Sequence, residues 1–239
     1  GLLVTTNRGL LENLVLKTSL DNGLDNAGWG GICMTNYGVI DNFAIQMTGD
    51  VYTRGSSGLA ARTNYGQISN GYLVSSGQSR ITMDLDVSPL TGHSLRAGLV
   101  ASHAGGTISN VYAAAELEDP AQKDFGNQGL VAAESFSPVR NAFSVGMVMQ
   151  GGVPSATTGP AVGYTSSVDL VKNVSYVETK TFSDSHYANT YNNQVTTMSL
   201  WDQEWMESAV NEDGRFRTDM VSDGLYPQLQ MPACMDGRQ

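Results

Sequence analysis

The sequence predicts an all-β protein wound as a right-handed parallel β-helix of about six coils, closed by a small C-terminal helical and loop cap. Three observations carry that prediction. The tetrad TNYG at residues 35–38 returns at residues 63–66, 28 residues later. A longer unit of about 30 residues, built around the same tetrad, recurs along most of the chain. The composition suits tight turns more than helices: 27 of 239 residues are Gly, and 15% are charged, against a usual ~25%.

The unit can be laid out by position. Anchored on Gly1, Gly30, Gly58, Gly98, Gly129 and Gly163, the six copies begin GLLVTTN, GGICMTN, GLAARTN, GLVASHA, GLVAAES and GYTSSVD. The anchors lie 29, 28, 40, 31 and 34 residues apart. In the first four copies a second glycine follows eight residues later, at Gly9, Gly38, Gly66 and Gly106. Ten residues after the anchor stands an aliphatic residue, and twelve after it an Asn. The pairs are Leu11/Asn13, Ile40/Asn42, Ile68/Asn70, Ile108/Asn110 and Val139/Asn141, with Val171/Asn173 in a sixth copy two residues shorter. The chain holds 16 Asn, and six of them fall in this one slot.

Each element of that unit has a physical reason in a solenoid. The unit is too short for a propeller blade and contains no helix-period pattern, which leaves one β-helical coil per repeat. Equivalent residues then stack about 4.8 Å apart, and six coils make a rod roughly 30 Å long. A turn used in every coil must keep one backbone shape. Gly38 and Gly66 are expected to supply positive φ there. Asn tolerates left-handed geometry, and stacked amides donate and accept up the column. The aliphatic slot is expected to form the core spine: Leu11, Ile40, Ile68, Ile108, Val139 and Val171. One coil cannot bury its own face, so stability is shared between neighbours.

The irregular stretches come next. Residues 80–87 alternate Ile81, Met83, Leu85 and Val87 with polar partners, the period of a strand with one wet face. They read as an extra hairpin or a longer coil side. Residues 116–127, ELEDPAQKDFGN, read as a polar loop on the flank, where solenoid insertions often form a binding face. The repeat fades after residue 177, dividing the chain into a β-helix over 1–180 and a cap and linker over 181–239. In the second part Met198, Trp201, Trp205 and Ala209 stand at steps of three, four and four. Ser199 with Asp202 resembles a helix start. The reading is a short amphipathic helix covering the last coil, because an open coil end invites aggregation. An aromatic sugar platform is the functional alternative for the tryptophans.

Composition narrows the partners. A net charge of −10 opposes nucleic acid or an anionic membrane surface. There is no run of 18 apolar residues that would cross a bilayer. The chain opens inside a patterned segment and reads as an excised piece of a longer protein. Cys33 lies in an apolar run and reads as a buried free thiol; a Cys33–Cys234 disulfide is the sharper alternative.

No motif supplies a catalytic site. His93, His103 and His186 lack metal-peptidase spacing, and neither a nucleophile elbow nor a phosphate loop occurs. His103 reads as a solvated turn side chain. Parallel β-helices host polysaccharide lyases and glycosidases, whose chemistry needs paired carboxylates. Asp84 and Asp86 would share one face of a strand, and Glu116, Glu118, Asp119 and Asp124 would cluster in a loop. Either group could hold Ca²⁺ through oxygen ligands, against the ordinary reading of a solvated acidic surface. Arg80 is the only basic residue near them that a lyase could use.

The pattern G-L-x-x-x-T-N-x-G-x-I-x-N resembles the GLUG repeat of bacterial surface proteins over residues 1–177. The tail YPQLQMPACMDGRQ, residues 226–239, resembles the segment that follows such repeats in immunoglobulin A-specific zinc metallopeptidases of streptococci and relatives. The resemblance implies a secreted or wall-anchored Gram-positive protein of several domains, with zinc in a separate peptidase domain. The family's zinc ligands and catalytic Glu have no counterpart in these 239 residues, so no catalytic residue is carried over. On that resemblance the chain is a non-catalytic arm that spaces the peptidase or docks immunoglobulin A. The alternative is a stand-alone adhesin or carbohydrate-interacting β-helix.

Overall fold

Six asparagines set the cross-section. Asn13, Asn42, Asn70, Asn110, Asn141 and Asn173 have φ between 48° and 56°, and among the described residues they are the non-glycine residues with positive φ. Most side chains pay a steric penalty in that left-handed region, and Asn bears it better than other non-glycine residues. Each one bends the chain at the same place, so the strands on either side of the bend stack coil upon coil. The computed structural model describes residues 3–20, 29–53, 55–76, 79–83, 95–119, 126–150, 153–154, 159–177, 193–194, 202–223 and 226–230.

The coils form three sheets, all parallel from coil to coil. The first holds six four-residue strands in order: Val4–Asn7, Cys33–Asn36, Ala61–Asn64, Val100–His103, Ala132–Ser135 and Val162–Thr165. The second is made of the two-residue strands Trp29–Gly30, Ser57–Gly58, Arg96–Ala97 and Gln128–Gly129. The third is the long sheet, in which Leu10–Leu20, Val39–Thr53, Gln67–Ser75, Ile108–Ala114, Val139–Val145 and Val171–Val177 stack in turn. Four coils are therefore complete on all three sides, rather than the six expected. The first and last contribute only the first and third sheets among the described residues.

The expected spine is present in register: Leu11 pairs with Ile40, then Ile68, Ile108, Val139 and Val171 follow. The four inner members are fully buried, and each contributes on the order of 1.5–3 kcal/mol. Cys33 is a buried free thiol in the first sheet. Burial pushes it up to about 11, which keeps it unreactive. Cys234 lies outside the described residues.

The anchors need two corrections. The residue paired with Gly58 and Gly129 is Ala97, not Gly98, and the extra residue of that coil sits in the following turn, where Gly106 has φ 62°. In the last coil Val162 pairs with Ala132, which moves its anchor from Gly163 to Gly159. That coil is thus longer than its neighbour, with a single 3₁₀ turn at Val168–Leu170 before the spine residue. Gly38 and Gly66 do not have positive φ. They are glycines because a Cβ would run into the turn carbonyl of the coil before, Gly9 for Gly38 and Gly38 for Gly66.

The residues expected to form an irregular flank extend the long sheet instead. Arg80–Met83 pairs with the end of Val39–Thr53 on one side and with Glu116–Asp119 on the other. Glu116–Asp119 is therefore a strand rather than a loop. Its Leu117 joins Val51, Ile81 and Val148 in the core. Leu85 and Val87 lie outside the described residues.

The C-terminal helix spans Gln203–Val210. Its N-cap is Asp202, whose carboxylate accepts from Trp205 N at 3.0 Å; Ser199, Met198 and Trp201 lie outside the described residues. The helix does not sit over the end of the last coil. With Phe216, Val221 and Leu229 it packs on the outer face of the long sheet, against Tyr72, Tyr112, Phe143 and Val177. The three rings stack, with centroids 5.1 Å apart for Tyr72–Tyr112 and 4.8 Å for Tyr112–Phe143. Tyr112 donates its phenol to Pro227 O at 2.6 Å. The same segment ties the asparagine corner: Asn110 donates to Asp213, Asn141 to Glu212 and Asn173 to Ser208 O. Among the described residues no helix is long and apolar enough to cross a membrane.

Candidate functional site

The sheet extension carries the candidate site. Residues alternate faces along a strand, so Ile81 and Leu117 turn inward while Arg80, Thr82, Glu116 and Glu118 share the outer face. Arg80, Thr82 and Glu118 join Gly49, Asp50, Tyr52 and Ser79 to line an open polar cleft of about 620 Å³. Arg80 is the pivot. Its Nε lies 3.1 Å from Glu116 Oε2, and its Nη1 donates to Glu118 Oε2 at 2.6 Å. Its backbone N–H donates to Asp50 Oδ1 at 2.9 Å. The register explains the meeting: Arg80 is the direct partner of Glu116, and Glu118 that of Thr82.

The expectations for this region meet the structure unevenly. Glu116, Glu118 and Arg80 come together. Asp119 lies on the same strand, but its side chain is not among those described, and Asp84, Asp86 and Asp124 lie outside the described residues. Among the described residues no three of His, Cys, Asp and Glu converge where a cation could sit. Chemically, one guanidinium holds two carboxylates and the surface keeps an excess of acid. That arrangement can hold a hydroxyl-rich or basic group at the surface. No motif in the sequence marks Asp50 and Tyr52. The signal available was the strand pattern after residue 47, which continues the coil side beyond its neighbours.

His103 needs a correction. It is not a solvated turn residue: it is fully buried, in register with Asn64, Asn36 and Asn7 of the preceding coils. These residues form a second ladder. Asn7 Nδ2 donates to Asn36 Oδ1 at 2.8 Å, Asn36 Nδ2 to Asn64 Oδ1 at 2.7 Å, and Asn64 Nδ2 lies 2.9 Å from His103 Nδ1. Asn64 Oδ1 is taken by Asn36, so its amide nitrogen faces the ring. Nδ1 therefore accepts, and the ring proton sits on Nε2. Burial lowers the imidazole from 6.5 to about 4. His93 and His186 lie outside the described residues. No family model, curated protein or solved structure matches this chain.

Proposed function

We propose that this chain is a non-catalytic recognition or spacer module of a secreted or wall-anchored bacterial surface protein, of the kind whose zinc metallopeptidase domain cleaves immunoglobulin A. The observation that carries the reading is a regular stack of coils whose long sheet is extended on one flank to build a polar cleft. A pre-formed surface of this kind loses little conformational freedom on meeting a large partner. The Arg80 cluster supports binding over chemistry, because its two glutamates share one guanidinium instead of facing a substrate as a separate acid and base. The link to the peptidase rests on the resemblance of the repeats and of the tail from Tyr226. Calorimetric titration of the chain with immunoglobulin A is the test. Measurable heat, with inhibition of cleavage when the chain is added in trans, supports docking. Silence in both assays leaves spacing as the role.

One observation favours a second reading. The cleft combines Tyr52 with Asp50, Arg80 and Thr82, a set that suits saccharide hydroxyls, so the alternative is an adhesin or carbohydrate-interacting domain. Incubation with acidic polysaccharides and Ca²⁺, followed by glycan binding and by the absorbance of unsaturated products, distinguishes binding from lysis.

A further inference from the structure

The two ends of the coil stack are not equivalent. At the C-terminal end the strand Val171–Val177 already has a parallel neighbour in Asn193–Gln194. At the N-terminal end, the eleven-residue strand Leu10–Leu20 pairs only with Val39–Thr53 among the described residues. Long open edges of this kind are normally blunted or covered.

Three independent columns describe what fits there. The first is the corner ladder, which has a direction. Asn42, Asn110, Asn141 and Asn173 each donate Nδ2 to the Asn Oδ1 of the coil before, and Asn70 donates to Asp41 in the coil before. Asn13 heads the ladder, and its Nδ2 has no acceptor among the described residues. The second is the turn glycine. A Cβ on Gly38, Gly66 or Gly106 would strike the turn-glycine carbonyl of the preceding coil, whereas a Cβ on Gly9 would meet nothing within 4 Å. In the next two coils the residue after that glycine donates to the same carbonyl, Val39 N to Gly9 O at 2.8 Å and Gln67 N to Gly38 O at 2.9 Å. Gly9 and Leu10 keep this arrangement with no coil to use it among the described residues. The third is the core: Leu11, Leu14 and Leu16 are half-buried, where Ile40, Phe43 and Ile45 of the next coil are fully buried.

We propose that the open face of the first coil is a docking site for one more coil of the same repeat type, a parallel polypeptide strand with aliphatic-x-Asn spacing that is not one of the six here. Its Asn Oδ1 accepts from Asn13 Nδ2, its turn carbonyl lies over Gly9 and accepts from Leu10 N, and its aliphatic residue completes the burial of Leu11. The site continues an interface that the fold already repeats five times in the spine. A second copy of this chain does not meet the requirement. Its own first coil would bring Asn13 amide donor against amide donor, and in its last coil Ser175 and Tyr176 are already paired with Asn193 and Gln194.

The test uses the full chain and, as probe, a synthetic peptide of residues 61–75, ARTNYGQISNGYLVS. Calorimetry is expected to give one peptide per chain, and bound peptide is expected to slow amide exchange in residues 10–20 at least tenfold. Asn13→Gly keeps the backbone shape but removes the donor, together with the acceptor of Asn42 within the chain, and should weaken binding about tenfold, the worth of the one hydrogen bond to the peptide. Gly9→Ala is the sharper variant: it should leave the unfolding midpoint unchanged, since its Cβ meets nothing, yet abolish peptide binding. No slowing of exchange at 1 mM peptide overturns the proposal, and so does equal binding by Gly9→Ala. Concentration-dependent dimerisation that protects residues 10–20 without peptide also overturns it, because the occupant would then be a second copy.

Discussion

The two asparagine columns run side by side through the same coils, yet they keep their residue type very differently. The corner column is Asn in all six coils, each at φ near 50°. The inner column begins Asn7, Asn36, Asn64 and continues His103, Ser135, Thr165. The difference lies in what each position demands. At the corner the backbone itself is left-handed, and few side chains accept that. In the inner column the demand is only for a hydrogen-bonding group near the turn. Asn64 donates to Gly66 O at 2.9 Å, Ser135 to Ser137 O at 2.7 Å and Thr165 to Ser167 O at 2.9 Å. Hydroxyls do that work as well as amides. A conformational requirement fixes a residue, whereas a bonding requirement fixes a class.

The largest effect should come from attacking the corner conformation. Asn110→Val places a β-branched residue at φ 52°, removes the bonds to Asn70 and Asp213 and takes away the acceptor of Asn141. The expected loss is about 3–4 kcal/mol, combining backbone strain with three lost bonds, although Asn141 keeps a second acceptor in Glu212. Asn110→Gly keeps the conformation and loses only the bonds, about 1–2 kcal/mol. Denaturant unfolding of both variants separates the two contributions. Equal losses would mean that bonding, not backbone, holds the corner column to Asn.

Next comes pH, which acts on the inner column through His103. His103 titrates at about 4 in the folded chain and at 6.5 when unfolded. Between those values the unfolded state binds more protons, so stability falls as pH drops. The contribution is intact above about pH 6.5, is lost progressively down to pH 4, and changes no further below that. The whole loss is on the order of 3 kcal/mol. Protonation would also set an Nδ1–H against the Asn64 amide that now donates to it. His103→Asn continues the ladder and should flatten stability between pH 4 and 6.5. A slope unchanged by that substitution would place the titrating group elsewhere.

This column also shows where the sequence stopped being readable. The spine and the corner were legible because an aliphatic residue and an Asn stand two apart in every coil, so period and chemistry agree. The inner column was not, for a reason of counting. Anchoring the fourth unit on Gly98 put His103 one step short of the Asn slot, and only the pairing of Ala97 with Gly58 shows that the extra residue belongs to the turn. The flank misled differently: Glu116 and Glu118 look like loop residues because strands at a sheet's outer face can be as polar as loops. Arg80 was legible as a neighbour of carboxylates, but which ones depended on register across a 36-residue gap. The amphipathic helix was visible, but not the surface it covers, since stacked Tyr72, Tyr112 and Phe143 become an apolar face only once the coils are stacked.

A smaller effect should follow from cutting the inner column at its centre. Asn36 donates to Asn64 Oδ1 and to Gln67 O, and accepts from Asn7. Asn36→Ala leaves a fully buried site short of those bonds. Asn7 still has Val39 O as an acceptor, and Asn64 Oδ1 still accepts from Gly66 N. The orphaned groups are thus partly satisfied, and the expected cost is about 2 kcal/mol. Asn36→Ser should recover part of it by donating to the turn as Ser135 does. Failure of Ser to improve on Ala would show that the amide-to-amide contact is what matters.

The smallest effect tests whether burial or the number of bonds sets these costs. The Arg80 side chain holds two charged partners at once, but it is 37% exposed and its glutamate partners are 23% and 16% exposed. Ion pairs at that depth exchange with water and are screened by salt, and typically contribute 0–1 kcal/mol. Arg80→Met keeps the aliphatic stem over the strand and removes the charge, so the loss should stay under about 1 kcal/mol and shrink further in 1 M salt. If Arg80→Met instead cost as much as Asn36→Ala, the cleft would be part of the framework. A small loss leaves Arg80, Glu116 and Glu118 free to be set by what they bind, and makes the same variant a clean probe of partner affinity in the calorimetric titration.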